Sequence, residues 1–193
     1  MPVRLRQEVQ EVPRRLTVPD LRDDVVQLEP LAASLAPEFA WVTEGDEGIL
    51  EYTRIPTDAD GAFLASWLGR YEEGWGDGSR AGFAVRPVGG GPVIAFAAYV
   101  SLDLEAQQGE IGYAVAPSAR GAGAATRCVG LLTDWGFETL GLERIELWID
   151  ARNDVSGRVA ERCGYRLDGV LRSVYFKEGR RQDFGIWSRL ASD

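Results

Sequence analysis

Pro117-Ser118-Ala119-Arg120-Gly121-Ala122-Gly123-Ala124-Ala125-Thr126 is the stretch whose reading decides the fold of this chain. The run before it, Ile111-Gly112-Tyr113-Ala114-Val115-Ala116, is apolar and strand-like. Behind it Cys128, Leu131, Leu132 and Trp135 fall at i, i+3, i+4 and i+7, the spacing of a helix. The stretch therefore reads as a strand, a short Gly/Ala loop and a helix N-terminus. Such a turn carries backbone N–H groups with no intrahelical partner and the positive end of a helix dipole. Together these form an anion site suited to phosphate. Gly121 and Gly123 let backbone approach the anion with no Cβ in the way.

Two familiar phosphate loops fail on detail. A P-loop ends in Gly-Lys-Ser/Thr, which is missing here. A dinucleotide fingerprint needs G-x-G-x-x-G, and Gly121-Ala122-Gly123-Ala124-Ala125-Thr126 lacks the last glycine. It also lies late in the chain, outside any first β-α-β unit.

The 193 residues suit one domain with an adequate core, and 45% apolar with 26% charged residues are ordinary globular values. No apolar run approaches membrane-spanning length. Met1 to Pro19 is charged and lacks an apolar h-region, which argues against a secretory signal and for a cytoplasmic protein. Cys128 and Cys163 fall on different predicted helices, so a disulfide is not expected. No histidine is present, which excludes Ser-His-Asp and Cys-His triads and, with two cysteines, argues against a zinc site. The net charge of −9 disfavours nucleic acid and anionic membrane surfaces as partners. It is compatible with a cationic acceptor such as an amine, and equally with plain solubility.

Residues 1–21 read as a polar N-terminal extension of uncertain order, and residues 22–193 as a single domain. Val25-Val26-Gln27-Leu28 is a first strand ending at Pro30. Leu31 to Trp41 is a short amphipathic helix with Leu31, Leu35 and Phe39 at i, i+4 and i+8. Thr43 to Pro56 is loop-like. Asp58 or Asp60 caps a second helix, which Gly74-Trp75-Gly76-Asp77-Gly78 ends. Strands at Ala81–Val88 and Val93–Val100 flank a floppy Gly89-Gly90-Gly91-Pro92 tip. A strand over Glu110–Ala116 leads into the loop and a helix ending near Gly141. The strand Arg144–Asp150 alternates Ile145, Leu147 and Ile149. Asn153 or Asp154 caps a helix with an apolar stripe of Val155, Val159 and Cys163, stopped by Gly164. Tyr165–Val170 and Phe184–Leu190 are the last strands. This order predicts an α/β (α+β) fold with a mixed central sheet of about six to seven strands and about four flanking helices.

Arg120, Gly123 and Ala125 match Arg/Gln-x-x-Gly-x-Gly/Ala, which resembles the pyrophosphate loop of the GNAT acyl-CoA N-acyltransferases. A second match runs from Asn153 through Ser156, Val159, Gly164-Tyr165, Leu167, Gly169 and Leu171-Arg172. It resembles the C-terminal half of the RimJ/RimL-like members, which acetylate protein N-termini and other primary amines. Glu110-Ile111-Gly112-Tyr113 fits the same subfamily. The likeness covers roughly Val25 to Leu190 and is weakest before Ala81.

The resemblance implies an acetyl-CoA-dependent N-acetyltransferase, a monomer or homodimer with no metal, passing the acetyl group directly to a primary amine. The alternative is a non-catalytic GNAT-fold module that binds acyl-CoA. By the same resemblance Arg120, Gly121, Ala122, Gly123, Ala124, Ala125 and Thr126 hold the pyrophosphate, mainly through backbone N–H groups. Val115 pairs with the pantetheine arm, and Asn153 touches that arm or serves only as a helix cap. Arg158 or Arg162 reaches the 3′-phosphate end or lies on a solvated helix face. The tyrosine that many members use to protonate the leaving thiolate is Ala160 here. Ser156 is the substitute, as in RimL-like members, or a locally bonded helix serine. Glu110 is the preferred general base, against an ion pair at a strand end. The position of the RimL-branch glutamate is Tyr175, which bonds the amine or lines the pocket. Trp41, Trp67, Tyr71 and Trp75, with Glu72, Glu73 and Asp77, suggest an aromatic acceptor groove for a cation. Core packing is the default for Trp41 and Trp67, and Trp75 is expected to be the most exposed.

Overall fold

A computed structural model describes residues 15–193. Its centre is an eight-stranded mixed sheet with the spatial order β1-β2-β3-β4-β5-β6-β8-β7. The strands are β1 (Leu21–Arg22), β2 (Val26–Pro30), β3 (Ala81–Pro87), β4 (Ala95–Asp103), β5 (Gln108–Val115), β6 (Arg144–Asp150), β7 (Arg166–Lys177) and β8 (Arg180–Leu190). All neighbours are antiparallel except β5 and β6, which run parallel across the α3 crossover (Ala124–Glu138). The eighth strand is the two-residue β1, which reaches into the predicted extension. Residues 1–14 of that extension lie outside the described residues. Leu16 is held to the body, donating its N–H to Trp75 O at 3.0 Å.

The remaining helices are α1 (Glu47–Tyr52), α2 (Gly61–Asp77) and α4 (Asp154–Arg162), with 3-10 segments over Ala33–Val42 and Pro117–Ala119. Two of these differ from the sequence reading. The expected helix at Leu31–Trp41 is a 3-10 turn sequence, and it carries Pro37, which removes a donor an α-helix would need. The expected loop at Thr43–Pro56 contains α1, whose N-cap Asp46 accepts from Ile49 N at 2.9 Å. The capping choices made from sequence are resolved: Asp60 accepts from Phe63 N, and Asn153 accepts from Ser156 N. The last two strands are longer than expected and form one hairpin turning at Glu178-Gly179. The glycine tip is pinned, since Arg86 Nη1 donates to Gly91 O at 2.9 Å.

Each face of the sheet buries its own core. Alternation sends Phe83, Tyr99, Ile111, Ile145 and Leu147 toward α3 and α4, where Cys128, Leu132, Trp135 and Val159 meet them. Ala84, Phe96 and Ala98 point the other way, toward Leu31, Phe39, Leu64 and Leu68. Trp75 is 8% exposed, against the sequence expectation. It packs edge-on against Phe83 at 5.3 Å and beside Trp135 at 6.0 Å. Val155, expected in the α4 stripe, is 66% exposed; Val159 and Cys163 are buried as expected, with Ala160 beside them. No helix among the described residues is long and apolar enough to cross a membrane.

The tightest point of the core is Gly136 on α3. A Cβ there would sit 2.0 Å from the Tyr99 hydroxyl and 2.8 Å from Ile145 Cδ1. That hydroxyl is buried and donates to Leu132 O at 2.8 Å. Gly136→Ala gains about 1 kcal/mol of helix propensity. It costs about 1–3 kcal/mol of overpacking, and about 1 kcal/mol more for the displaced hydrogen bond. A net loss of about 2 kcal/mol is expected in denaturant titration, and a variant as stable as the parent would show that this packing yields freely.

Candidate active site

The site begins where the sheet comes apart. β5 and β6 pair only at Gln108↔Arg144, Gly109↔Ile145 and Glu110↔Glu146. Beyond Glu110, β5 stays bonded to β4 as far as Val115↔Ala95, and β6 stays bonded to β8 as far as Asp150↔Phe184. Ile111 to Val115 therefore carry backbone donors and acceptors on an edge facing a wedge instead of a strand. A register shift in β4 between Tyr99 and Ser101 bends the neighbouring strand beside this opening.

The wedge opens over the Gly/Ala loop. Gly121 and Gly123 have φ of +81° and +82°, the left-handed region that favours glycine. The first intrahelical bond of α3 runs from Arg127 N to Gly123 O at 3.1 Å, and Gly123 offers no side-chain cap. The N–H groups of Ala124, Ala125 and Thr126 are thus left for an outside acceptor. A Cβ at Gly121 or Gly123 would meet nothing within 4 Å, so the cradle is open. The Arg120 guanidinium is engaged elsewhere, donating from Nη1 and Nη2 to both carboxylate oxygens of Asp46. Arg158 is exposed on α4, outside the cleft lining.

A cleft of about 420 Å³ continues from the wedge. Its lining includes Glu110, Tyr113, Asn153 and Ser156 from the expected elements, and Arg54, Trp67, Tyr71, Phe96 and Phe184. Val115 and Tyr175 are not among the lining residues. Val115 flanks the wedge at the end of β5, and Tyr175 packs on Phe184 at 5.6 Å with the Arg54 guanidinium 5.6 Å above its ring.

Glu110 stands where the strands part. Burial pushes its carboxyl above the usual range, Arg54 counters this, and Glu146 adds to it. Arg54 Nη2 reaches Glu110 Oε1 at 3.4 Å, a long single contact. Glu146 is held by Arg144 Nε at 2.7 Å and Trp148 Nε1 at 2.8 Å. A half-buried carboxylate with a raised pKa and one weak partner is a competent proton acceptor.

Asn153 uses its carbonyl to cap α4, and its side-chain NH2 has no partner among the described residues. The Tyr113 hydroxyl is buried beside Ser156 with no hydrogen-bond partner. Burial pushes its ionisation up, and the nearby Ser156 hydroxyl counters part of this without closing a bond that meets normal geometry. An orphaned buried phenol in a cleft is costly unless a ligand satisfies it. Tyr113 was missed as a site residue in the sequence, although it lies inside the Glu110-Ile111-Gly112-Tyr113 match. A search for a hydroxyl to replace the missing one at position 160 was the available signal. Ala160 is itself fully buried. Arg54 was also missed, since it lies in the stretch read as a loop.

Nucleophilic cysteine chemistry is disfavoured. Burial pushes the Cys128 thiol up to about 12 and the Cys163 thiol to about 11, so neither is a thiolate at neutral pH. The acids expected near an acceptor groove are elsewhere. Glu72 accepts from Ala33 N and Asp77 from Ser79 N, and neither they nor Glu73 lines the cleft. No group of three or more Cys, Asp or Glu among the described residues is arranged to hold a metal ion.

The comparisons with known proteins agree with this geometry. The family description "Acetyltransferase (GNAT) domain" matches residues 26–166. The uncharacterized N-acetyltransferase YoaA of Bacillus subtilis is 30% identical over 82 residues, which is 42% of this chain and 46% of YoaA. The chain spans about half the length of the curated relatives it matches. Two solved structures share the fold. One is the microcin C7 self-immunity acetyltransferase MccE in complex with acetyl-CoA and AMP, with TM-score 0.79, 18% identity, and 87% and 93% of the two chains covered. The other is RimL, the ribosomal L7/L12 α-N-protein acetyltransferase, in complex with coenzyme A, with TM-score 0.79, 15% identity, and 87% and 95% covered. With the family match spanning most of its length and the split sheet above a glycine-rich helix N-terminus, the chain belongs to the GNAT acetyltransferase family.

Proposed function

We propose that this protein is an acetyl-CoA-dependent N-acetyltransferase, with residues 22–193 as a single catalytic domain acting in the cytoplasm on a primary amine. The single observation that carries the reading is the wedge between β5 and β6 opening over the unsatisfied amides of Ala124 to Thr126. Acetyl-CoA supplies an activated acetyl thioester and a diphosphate. The residues at hand suit such a group: an open anion cradle, a free strand edge and an orphaned phenol.

In this reading the backbone of residues 120–126 binds the diphosphate, with the Arg120 side chain acting through Asp46 rather than on the phosphates. The free edge of β5 up to Val115 aligns the pantetheine arm, with Asn153 NH2 as a further donor. Arg158 stays a candidate for the 3′-phosphate by its exposure on α4. Glu110 takes a proton from the incoming ammonium, directly or through water. Tyr175 acts one step back, stacking on Arg54, which in turn faces Glu110. Ser156 and Tyr113 donate hydrogen bonds to the sulfur that leaves.

Thiol release from acetyl-CoA over a panel of primary amines tests the activity. Binding of acetyl-CoA without thiol release for any amine would favour the non-catalytic module instead. In the same assay Ser156→Ala is expected to lower kcat roughly 10- to 100-fold with little change in acetyl-CoA binding, the size of one hydrogen bond felt mainly in the transition state. Tyr113→Phe should do the same, and the double variant should lose less than the two combined, because the hydroxyls share one acceptor. If the Ser156 hydroxyl does not act on the leaving sulfur, Ser156→Ala would keep its kcat with little change in stability, since Asn153 is the helix cap and the Ser156 backbone N–H it accepts survives the substitution.

A further inference from the structure

The acceptor side of the cleft is basic in a protein of net charge −9. Three guanidinium groups line it, from Arg54, Arg70 and Arg80, against two carboxylates, Glu110 and Asp150. Asp150 is already neutralised, since Arg152 donates to it from Nε at 3.0 Å and Nη2 at 2.8 Å. Arg54 has one ion pair among the described residues, the 3.4 Å contact with Glu110, and lies over the Tyr175 ring. Arg70 is exposed on α2 with no ion pair among the described residues. Arg80 donates from Nε to Val100 O at 3.1 Å, and Asp77 feels its charge from outside the cleft. Tyr71, Arg70, Arg80, Glu110 and Arg54 all line this one cleft. Guanidinium forks suit carboxylate and phosphate, and a polycation would meet three like charges.

We propose that the amine accepted in this cleft carries an anionic group, a carboxylate or a phosphate, which Arg54 and Arg70 hold while the amine lies against Glu110. The inference rests on reading the cleft as the acceptor side of an acetyltransferase. It narrows the acceptor class from any primary amine to amines with a negative charge close by. A cationic acceptor, compatible with the overall charge, is disfavoured by the local one.

The test has two readouts on the whole protein. With acetyl-CoA saturating, kcat/KM is measured for glycyl-aspartate against glycyl-lysine, for phosphoethanolamine against ethanolamine, and for spermidine. Without acetyl-CoA but with coenzyme A present, the melting temperature is followed as each amine is added. The anionic member of at least one pair is expected to be favoured 10-fold or more, and the pair that responds identifies carboxylate or phosphate. The preference should shrink as salt rises from 50 to 500 mM. In Arg70→Gln the ratio should fall toward one, with a several-fold to 10-fold rise in KM for the anionic amine. Preference for glycyl-lysine or spermidine, with turnover intact, would overturn the inference and leave the acetyltransferase reading standing. A melting-temperature rise with anionic amines alone but no thiol release would overturn the acetyltransferase reading and with it the inference about the acceptor, leaving only an anion-binding cleft. No shift with any amine, and no preference between pair members, would also overturn the inference.

Discussion

Glu110→Gln is expected to lower kcat about 100-fold near pH 6, the lower end of what a positioned general base contributes. The deficit should narrow as pH rises toward the acceptor's own pKa, where free amine needs no base. It should also narrow in acid, where Glu110 of the parent is itself protonated. That acidic limb should sit above the usual glutamate value of 4.5, because burial raises the Glu110 pKa. Stability should move the other way. A carboxyl whose pKa is raised by folding binds its proton more tightly in the folded state. Its contribution is complete below the unfolded pKa and is lost as pH rises through the folded one. Gln at this position escapes that loss, so the variant should match or exceed the parent's melting temperature at neutral pH. Arg54 loses its acid partner, but it is half exposed and the pair is worth little. A variant that keeps full turnover across the pH range would remove the base role.

Gly123→Glu is expected to abolish the rise in melting temperature that acetyl-CoA gives the parent, which corresponds to a loss of affinity of about 100-fold or more. Like charges at about 4 Å repel by about 4 kcal/mol at an effective dielectric near a protein surface. The space around a Cβ there is empty, so the side chain fits and the effect reads charge, not collision. The left-handed φ of +82° costs any non-glycine residue about 1–2 kcal/mol. A carboxylate at a helix N-terminus returns about 0.3–1 kcal/mol of that. The variant should therefore fold, slightly destabilised. Gly123→Ala carries the same backbone cost and a Cβ in the cradle but no charge, and should lose less of the acetyl-CoA response than Gly123→Glu. If Gly123→Glu still responds in full, the diphosphate does not sit on this loop.

What the sequence disclosed follows the range of the interactions concerned. The loop at residues 117–126, the caps at Asp60 and Asn153 and the strand Arg144–Asp150 are set by neighbours along the chain, and they are found where expected. α1 was hidden because six residues are too few for a period to show between Gly45 and the turn after Tyr52. Trp75 among glycines suggested exposure, but Phe83 and Trp135 reach it from distant strands and helices. Glu110 and Ser156 are singled out by motif, and both line the cleft. Tyr113 and Arg54 gain their significance only from what faces them across the sheet, Ser156 in one case and Glu110 with Tyr175 in the other. The basic lining is likewise assembled from α2, the residue that precedes β3 and the segment after α1, and no local charge pattern announces it.

The unpaired stretch of β5 also bears on self-association. A strand with open N–H and C=O groups invites another chain to pair with it, and proteins usually protect such edges with charge, proline or a cover. Here the edge from Ile111 to Val115 lies inside the sheet, closed at one end by the Glu110↔Glu146 pair and faced by β6 across the wedge. A polypeptide entering would need strand spacing on both sides and room for side chains above and below the sheet. A slender guest with amide groups and no side chains needs neither. The same opening that leaves backbone groups available for a thin ligand therefore denies them to another protein, and an edge that would promote aggregation on the rim is harmless at the centre.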